Sequence, residues 1–182
     1  WIWVTRPGAE VDLAEELCLS LGRDRARALA VGLVRSEGAP TFDDGSIDAT
    51  FARQGFRLDA EVRAETTSLA AAVAAAILTA QPTRAFALSV FTADSDEGNR
   101  LSGFAQRLED DVLAALLERD RRPAAIERLR DVDGSLVNVV VLDEARALVG
   151  RVPALLALSL HDGGRARMRV PSGVPSRAAR KV

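Results

Sequence analysis

Between residues 101 and 116, Leu101, Phe104, Ala105, Leu108, Val112, Ala115 and Leu116 keep the i, i+3, i+4, i+7 spacing over four turns. An α-helix puts that set on one side, and such a helix holds in water only when its apolar stripe is buried. The rest of the chain must therefore supply an apolar surface for it. Strand-like runs flank it: Phe86 to Phe91 before, then Val137 to Leu142 and Ala147 to Val152, joined through Asp143 to Arg146. Further upstream, Leu69, Val73, Ala76, Ile77 and Ala80 share helical spacing behind a cap at Thr66 or Thr67, with Pro82 just past the end. Pro123 predicts a short helical turn. The order helix, strand, helix, strand, strand follows.

The first third of the chain reads as a separate small α/β unit. Trp1 to Thr5 predicts a strand, and Pro7-Gly8 leads into a helix carrying Leu13, Leu17 and Leu21 and closed by Gly22. Ala28 to Arg35 predicts one further strand, Gly38 to Ser46 a loop, and Ala49 to Val62 another strand with a bend at Gly55. No internal repeat is present.

Composition narrows the class. Of 182 residues, 48% are apolar and 27% charged, the balance of a packed soluble domain rather than a disordered or fibrous chain. The single Cys18 excludes an intrachain disulfide and a cysteine-based zinc site, which fits a reducing, cytoplasmic setting. The most apolar run, Leu69 to Ala80, falls well short of the roughly 20 residues that span a bilayer. The chain opens on Trp1 directly into a strand pattern, with no signal-peptide features, so a trimmed native start is expected.

Charge is distributed unevenly. The net charge is −2, but Arg165, Arg167, Arg169, Arg177, Arg180 and Lys181 lie beyond Gly163 with no acid among them. The preceding residues keep 18 of the 24 cationic groups against all 26 acids, a balance of −8. A polyanion is drawn to the carboxy-terminal end first. Gly163 to Pro175, with its glycines, prolines and alternating arginines, reads as a linker. Ser176 to Val182 has helix formers behind an N-cap and no C-cap, the start of a helix cut short.

Four segments, in order, resemble FtsJ-like ribosomal-RNA 2′-O-ribose methyltransferases, of the large-subunit cytidine type, that carry an amino-terminal THUMP module. They are Thr5-Arg6-Pro7-Gly8-Ala9-Glu10, then Phe51-Ala52-Arg53-Gln54-Gly55-Phe56, then the passage from Ala93 to Gly103, and last the tail from Arg167 through Val182. The tail's Ser176-Arg177-Ala178-Ala179-Arg180-Lys181 is the most specific, being similar to the Ser-Arg-x-x-x-Lys that opens the first helix of FtsJ-type catalytic domains. The resemblance implies an α/β (α+β) fold: a small ferredoxin-like-type unit over 1–63, a THUMP-like RNA-binding unit over 64–162, a basic linker over 163–175, and the truncated first helix of a catalytic domain over 176–182. Between Val34 and Ile47 the chain is shorter than the family's pattern, as if lacking a strand.

That resemblance further implies S-adenosylmethionine as the cofactor of the full-length protein, ribosomal RNA as its partner, and a catalytic domain in cis. The family's lysine, aspartate, lysine, glutamate set is matched here only at Lys181, and no glycine-rich strand-to-helix turn for the cofactor is present. The fragment is therefore expected to bind no cofactor and to be inactive alone. Lys181 is the only lysine. It is either the survivor of a bias toward arginine or the group that orients a ribose 2′-hydroxyl, since an ammonium can lose its proton where a guanidinium cannot.

Arg165, Arg167 and Arg169 alternate, which sets them on one side of an extended segment able to follow phosphates, with Arg177 and Arg180 beyond. A solvated linker is the other reading of the same pattern. Arg53 and Gln54 sit in a half-buried strand and predict structural hydrogen bonds; Trp1, Trp3, Phe86, Phe91 and Phe104 predict core packing; Asp94, Asp96 and Asn99 predict helix capping. The lone His161 has no partner in the sequence and receives no role. A contrasting function from another class is a protein-interaction or scaffold module with an acidic body and a basic tether. A third is a THUMP module of a transfer-RNA modifying enzyme, against which the Ser-Arg-x-x-x-Lys tail speaks.

Overall fold

The structure, a computed structural model, describes residues 1–41, 47–64, 68–80 and 85–164. Its strands are β1 (Ile2–Val4), β2 (Ala26–Ala30), β3 (Leu33–Ser36), β4 (Gln54–Arg63), β5 (Phe86–Thr92), β6 (Ser135–Asp143) and β7 (Arg146–Pro153). Its helices are α1 (Glu10–Leu21), α2 (Leu69–Thr79) and α3 (Asp96–Leu117). All seven strands join one sheet in the order β2-β3-β1-β4-β7-β6-β5, a mixed α/β fold.

The long strand β4 ties the two halves together. Its first residues pair antiparallel with β1 (Phe56 opposite Ile2), while Arg57 to Arg63 pair antiparallel with β7 across an irregularity between Leu58 and Ala60. In the second half, β5 and β6 run parallel, joined by α3 as the crossover, and β6–β7 is a hairpin. Period-two alternation along β6 divides its side chains between two cores. Val137, Val139 and Val141 pack with α2 and α3, whereas Leu136 and Val140 join Leu148, Val152, Ala154 and Ala157 on the other face. On that face the segment after β7 folds back over the sheet. α3 buries Ala105, Leu108, Val112 and Leu116, the stripe its spacing predicted.

Several expectations change. The predicted strand Ala28 to Arg35 is a hairpin, β2 and β3, turning at Val31-Gly32. Among the described residues the first half holds β1, α1, β2, β3 and β4. The α/β class expected from the sequence is the one observed. β4 begins at Gln54 rather than Ala49, and the N-cap of α2 is Ser68, whose Oγ accepts the Ala71 N–H at 3.2 Å. The turn after Pro123 is a single 3₁₀ turn, Ile126–Arg128.

Motif residues explain how the first half holds its shape. Glu10, at the start of α1, accepts the backbone N–H of Gly8 at 2.9 Å and of Gly32 at 2.5 Å, fastening the helix entry to the β2–β3 turn. Trp3 is fully buried, its indole N–H donates to Ser36 Oγ at 2.7 Å, and its ring lies over Gly55 on the neighbouring strand.

Candidate functional site

The parallel pair β5–β6 ends in a cleft of about 800 Å³, between the passage from β5 into α3 and the β2–β3 turn. In sheets with helical crossovers, the carboxyl ends of parallel strands are where the chain opens to ligands. Here Ala93, Asp94 and Ser95 make the passage. The Ser95 N–H donates to the Ala93 carbonyl at 2.9 Å, and Ser95 Oγ caps α3 by accepting the Gly98 N–H at 3.0 Å. Leu33 and Val141 lie buried at the cleft's base, with Val31 and Leu142 beside them; Asp94, Asp96 and Glu97 line its helix side.

The helix side of the cleft is acidic. The amino-terminal end of a helix on its own favours anions. Asp96 and Glu97 occupy that turn and satisfy the helix dipole from within the chain. The passage carries no glycine-rich run, and a Cβ on Gly98 would collide with the Ala93 carbonyl, so the glycine serves a close backbone contact. Among the described residues, no group of three or more His, Cys, Asp and Glu is arranged to hold a metal ion.

Arg53 and Gln54 connect the cleft to the carboxy-terminal segment. The Arg53 guanidinium pairs with Asp94 at 2.9 Å, and its backbone N–H donates to the Val4 carbonyl at 2.8 Å. Gln54 is fully buried and donates from Nε2 to the Ser159 carbonyl at 2.6 Å. Both are structural, as the sequence indicated. Asp94 is therefore an ion-pair partner and Ser95 the helix cap, a reassignment within one residue of the expected capping group.

Along β5 the returning segment advances in step. Asp162 accepts from Ser89 Oγ at 2.6 Å, Gly163 lies on the Phe91 ring, and Gly164 meets the Arg53 carbonyl so closely that a Cβ would stand 2.2 Å from it. Beside this segment, Ser102, Gln106 and Glu109 of α3 form a second groove of about 560 Å³ with His161 and Asp162. Burial, then the charges of Asp162 and Asp110, hold the Glu109 carboxyl above its ordinary range. Sequence periodicity gave no hint of this meeting, because Asp162 comes from a stretch with no regular pattern.

Lys181, Arg165, Arg167, Arg169, Arg177 and Arg180 lie outside the described residues. What the structure shows is the body that precedes them. Many of its arginines are engaged: Arg35 with Glu61 at 2.7 Å, Arg146 with Asp143 at 2.6 Å, and both Arg57 and Arg151 with Asp59 at 3.1 and 3.4 Å. Trp3, Phe86 and Phe91 are buried in the core and Phe104 packs against it. Trp1 stacks on Trp3 with ring centroids 5.6 Å apart.

No family model matches this sequence, and no curated protein does. Among solved structures, the chain is similar to TrmN from Thermus thermophilus, with a TM-score of 0.57 at 20% identity, over 87% of this chain and 46% of that one. The chain thus spans less than half the length of TrmN, and the likeness is one of fold. Among the described residues, no helix is long and apolar enough to cross a membrane.

Proposed function

We propose that this chain is the RNA-binding and targeting region of an RNA methyltransferase, and more finely of an S-adenosylmethionine-dependent ribosomal-RNA 2′-O-ribose methyltransferase of the FtsJ-like kind. The observation that carries the reading is the fold shared with TrmN from Thermus thermophilus over 87% of the chain. The finer part rests on the Ser176-Arg177-x-x-x-Lys181 tail.

The body has a negative balance and many paired arginines, whereas the tail carries cations with no acid among them. Arg165, Arg167, Arg169, Arg177 and Arg180 are accordingly the phosphate-contacting residues in this account. With Trp3, Phe56, Phe86 and Phe91 buried and Phe51 exposed among the described aromatics, the body reads RNA chiefly by shape and phosphate rather than by stacking on splayed bases. In the full-length cytoplasmic protein, S-adenosylmethionine held by a following domain supplies the methyl group. Lys181 orients the ribose 2′-hydroxyl and takes part in moving its proton.

The test is Lys181→Ala in the full-length protein: methyl transfer is lost while RNA affinity persists. Full activity in that variant overturns the assignment. The fold shared with TrmN favours a second reading, a THUMP module of a transfer-RNA modifying enzyme of different chemistry. The nucleoside product, sugar-methylated or otherwise, separates the two.

A further inference from the structure

The turn that leads into β4 holds an aromatic ring out toward solvent, next to a cation with no partner. We infer that Phe51 and Arg6 bind one unpaired nucleotide of the RNA, its base stacked on the phenyl ring and a neighbouring phosphate on the guanidinium. This rests on the RNA reading above and adds a base contact to it.

Phe51 is 48% exposed, whereas Trp3, Phe56, Phe86 and Phe91 are buried. A single exposed apolar side chain is ordinary on a protein surface and by itself carries nothing. The mount of this one is what sets it apart, because both polar groups of the Phe51 backbone are engaged. The two carboxylate oxygens of Glu16, on α1, accept the Thr50 N–H at 2.6 Å and the Phe51 N–H at 3.1 Å. The Phe51 carbonyl accepts the hydroxyl of the fully buried Thr5 at 2.8 Å, and the Arg53 N–H donates to the Val4 carbonyl at 2.8 Å. A ring held this way binds without the entropic cost of ordering a loop.

Arg6 follows Thr5 directly, and the β1–β4 register, with Val4 opposite Gln54, brings it alongside Ala52 and Phe51. It is exposed, and unlike Arg35, Arg53, Arg57 and Arg151 it has no ion-pair partner among the described residues. Glu10 and Glu16, the acids fastened to these turns, each take two backbone N–H groups. The Arg6 guanidinium is therefore available to a phosphate. Gly164 lies against the Arg53 backbone, so the pair shares one edge of the body with the last described residue.

A ring and an open cation side by side match the two halves of a nucleotide, a π-face and a phosphate. A protein partner would call instead for a contiguous apolar surface. Thr50 and Arg6, beside the ring, are polar; Leu19, 89% exposed and three residues beyond Glu16 on α1, is the apolar side chain such a partner would also use.

The test measures affinity of the 182-residue chain for a short single-stranded RNA carrying aminopurine and for a blunt duplex RNA, with urea denaturation confirming that each variant is folded. On the single strand, Phe51→Ala and Phe51→Leu are expected to bind roughly tenfold more weakly and to lose the aminopurine fluorescence change, while Phe51→Trp keeps both. Arg6→Gln is expected to make the log–log salt slope shallower by about 0.7, the share of one phosphate in a single strand. On the duplex, whose bases are already stacked, Phe51→Ala and the parent protein are expected to bind alike. Equal affinity and equal fluorescence change for parent and Phe51→Ala on the single strand overturn the inference and leave the RNA reading standing. No binding of either RNA by the parent chain overturns both. Single-strand binding kept in Phe51→Leu but lost in Leu19→Ser also overturns it, and assigns the ring to an apolar docking surface.

Discussion

Gly55 shows how a motif residue acts through its neighbour rather than through chemistry. It sits in β4 directly opposite Trp3, and an added Cβ would stand 2.6 Å from two ring carbons of a side chain that has no exposed surface and is fixed by the Ser36 hydrogen bond. Gly55→Ala is expected to destabilise the fold by about 1–3 kcal/mol, the usual range for overpacking a tight core, as measured by urea denaturation. An unchanged midpoint would show that Trp3 can yield. Glu10, Arg53 and Gln54 belong to the same class. Each stands in a motif that resembles an RNA-modifying family, and each is consumed by hydrogen bonds or an ion pair within the fold.

At the scale of elements, α3 links a long amphipathic stripe to two polar edges, one on each groove. Its Glu109 faces Asp162 across the second groove, and burial chiefly, then Asp162 and Asp110, raise its carboxyl above the ordinary value of 4.5. A raised acid favours the folded state while protonated, and that contribution disappears as pH rises through the folded-state value. Glu109→Gln is therefore expected to raise Tm relative to the parent protein at neutral pH, with the difference shrinking as pH falls to about 4. A difference independent of pH would contradict the assignment.

The elements most legible in the sequence were those with long, regular patterns: α3, α2, and the β6–β7 hairpin with its flanking Asp143 to Arg146 connection. Period-two alternation does not mark where a strand reverses, so Ala28 to Arg35 reads as one strand although Val31-Gly32 turns it into two. The α2 cap was displaced by one or two residues because Thr66, Thr67 and Ser68 are chemically equivalent candidates. The cleft was not legible at all. Its sides come from turns some sixty residues apart, and only the order of strands in the sheet brings the Gly32 turn against Ala93, whose Cβ lies 3.5 Å from where a Gly32 Cβ would be.

For the whole molecule, the division of charge is the property that organises function. An acidic, internally paired body precedes a basic strip whose cations concentrate within the last eighteen residues. In the RNA reading this confines phosphate binding to one edge and leaves the sheet and helices as a rigid mount. In the contrasting reading, a scaffold module, the acidic body is itself the docking surface and the strip only a tether. The arginines at 165, 167 and 169 decide between them, because neutralising phosphates releases counterions and so leaves a signature in the salt dependence of affinity. The direct measurement is a salt titration of binding to a structured RNA, comparing the 182-residue chain with its R165Q/R167Q/R169Q variant. If these residues touch phosphates, the variant binds more weakly and its log–log salt slope is shallower by about one for each phosphate no longer neutralised, up to about three. Equal affinity and equal slope in the two proteins would contradict the account.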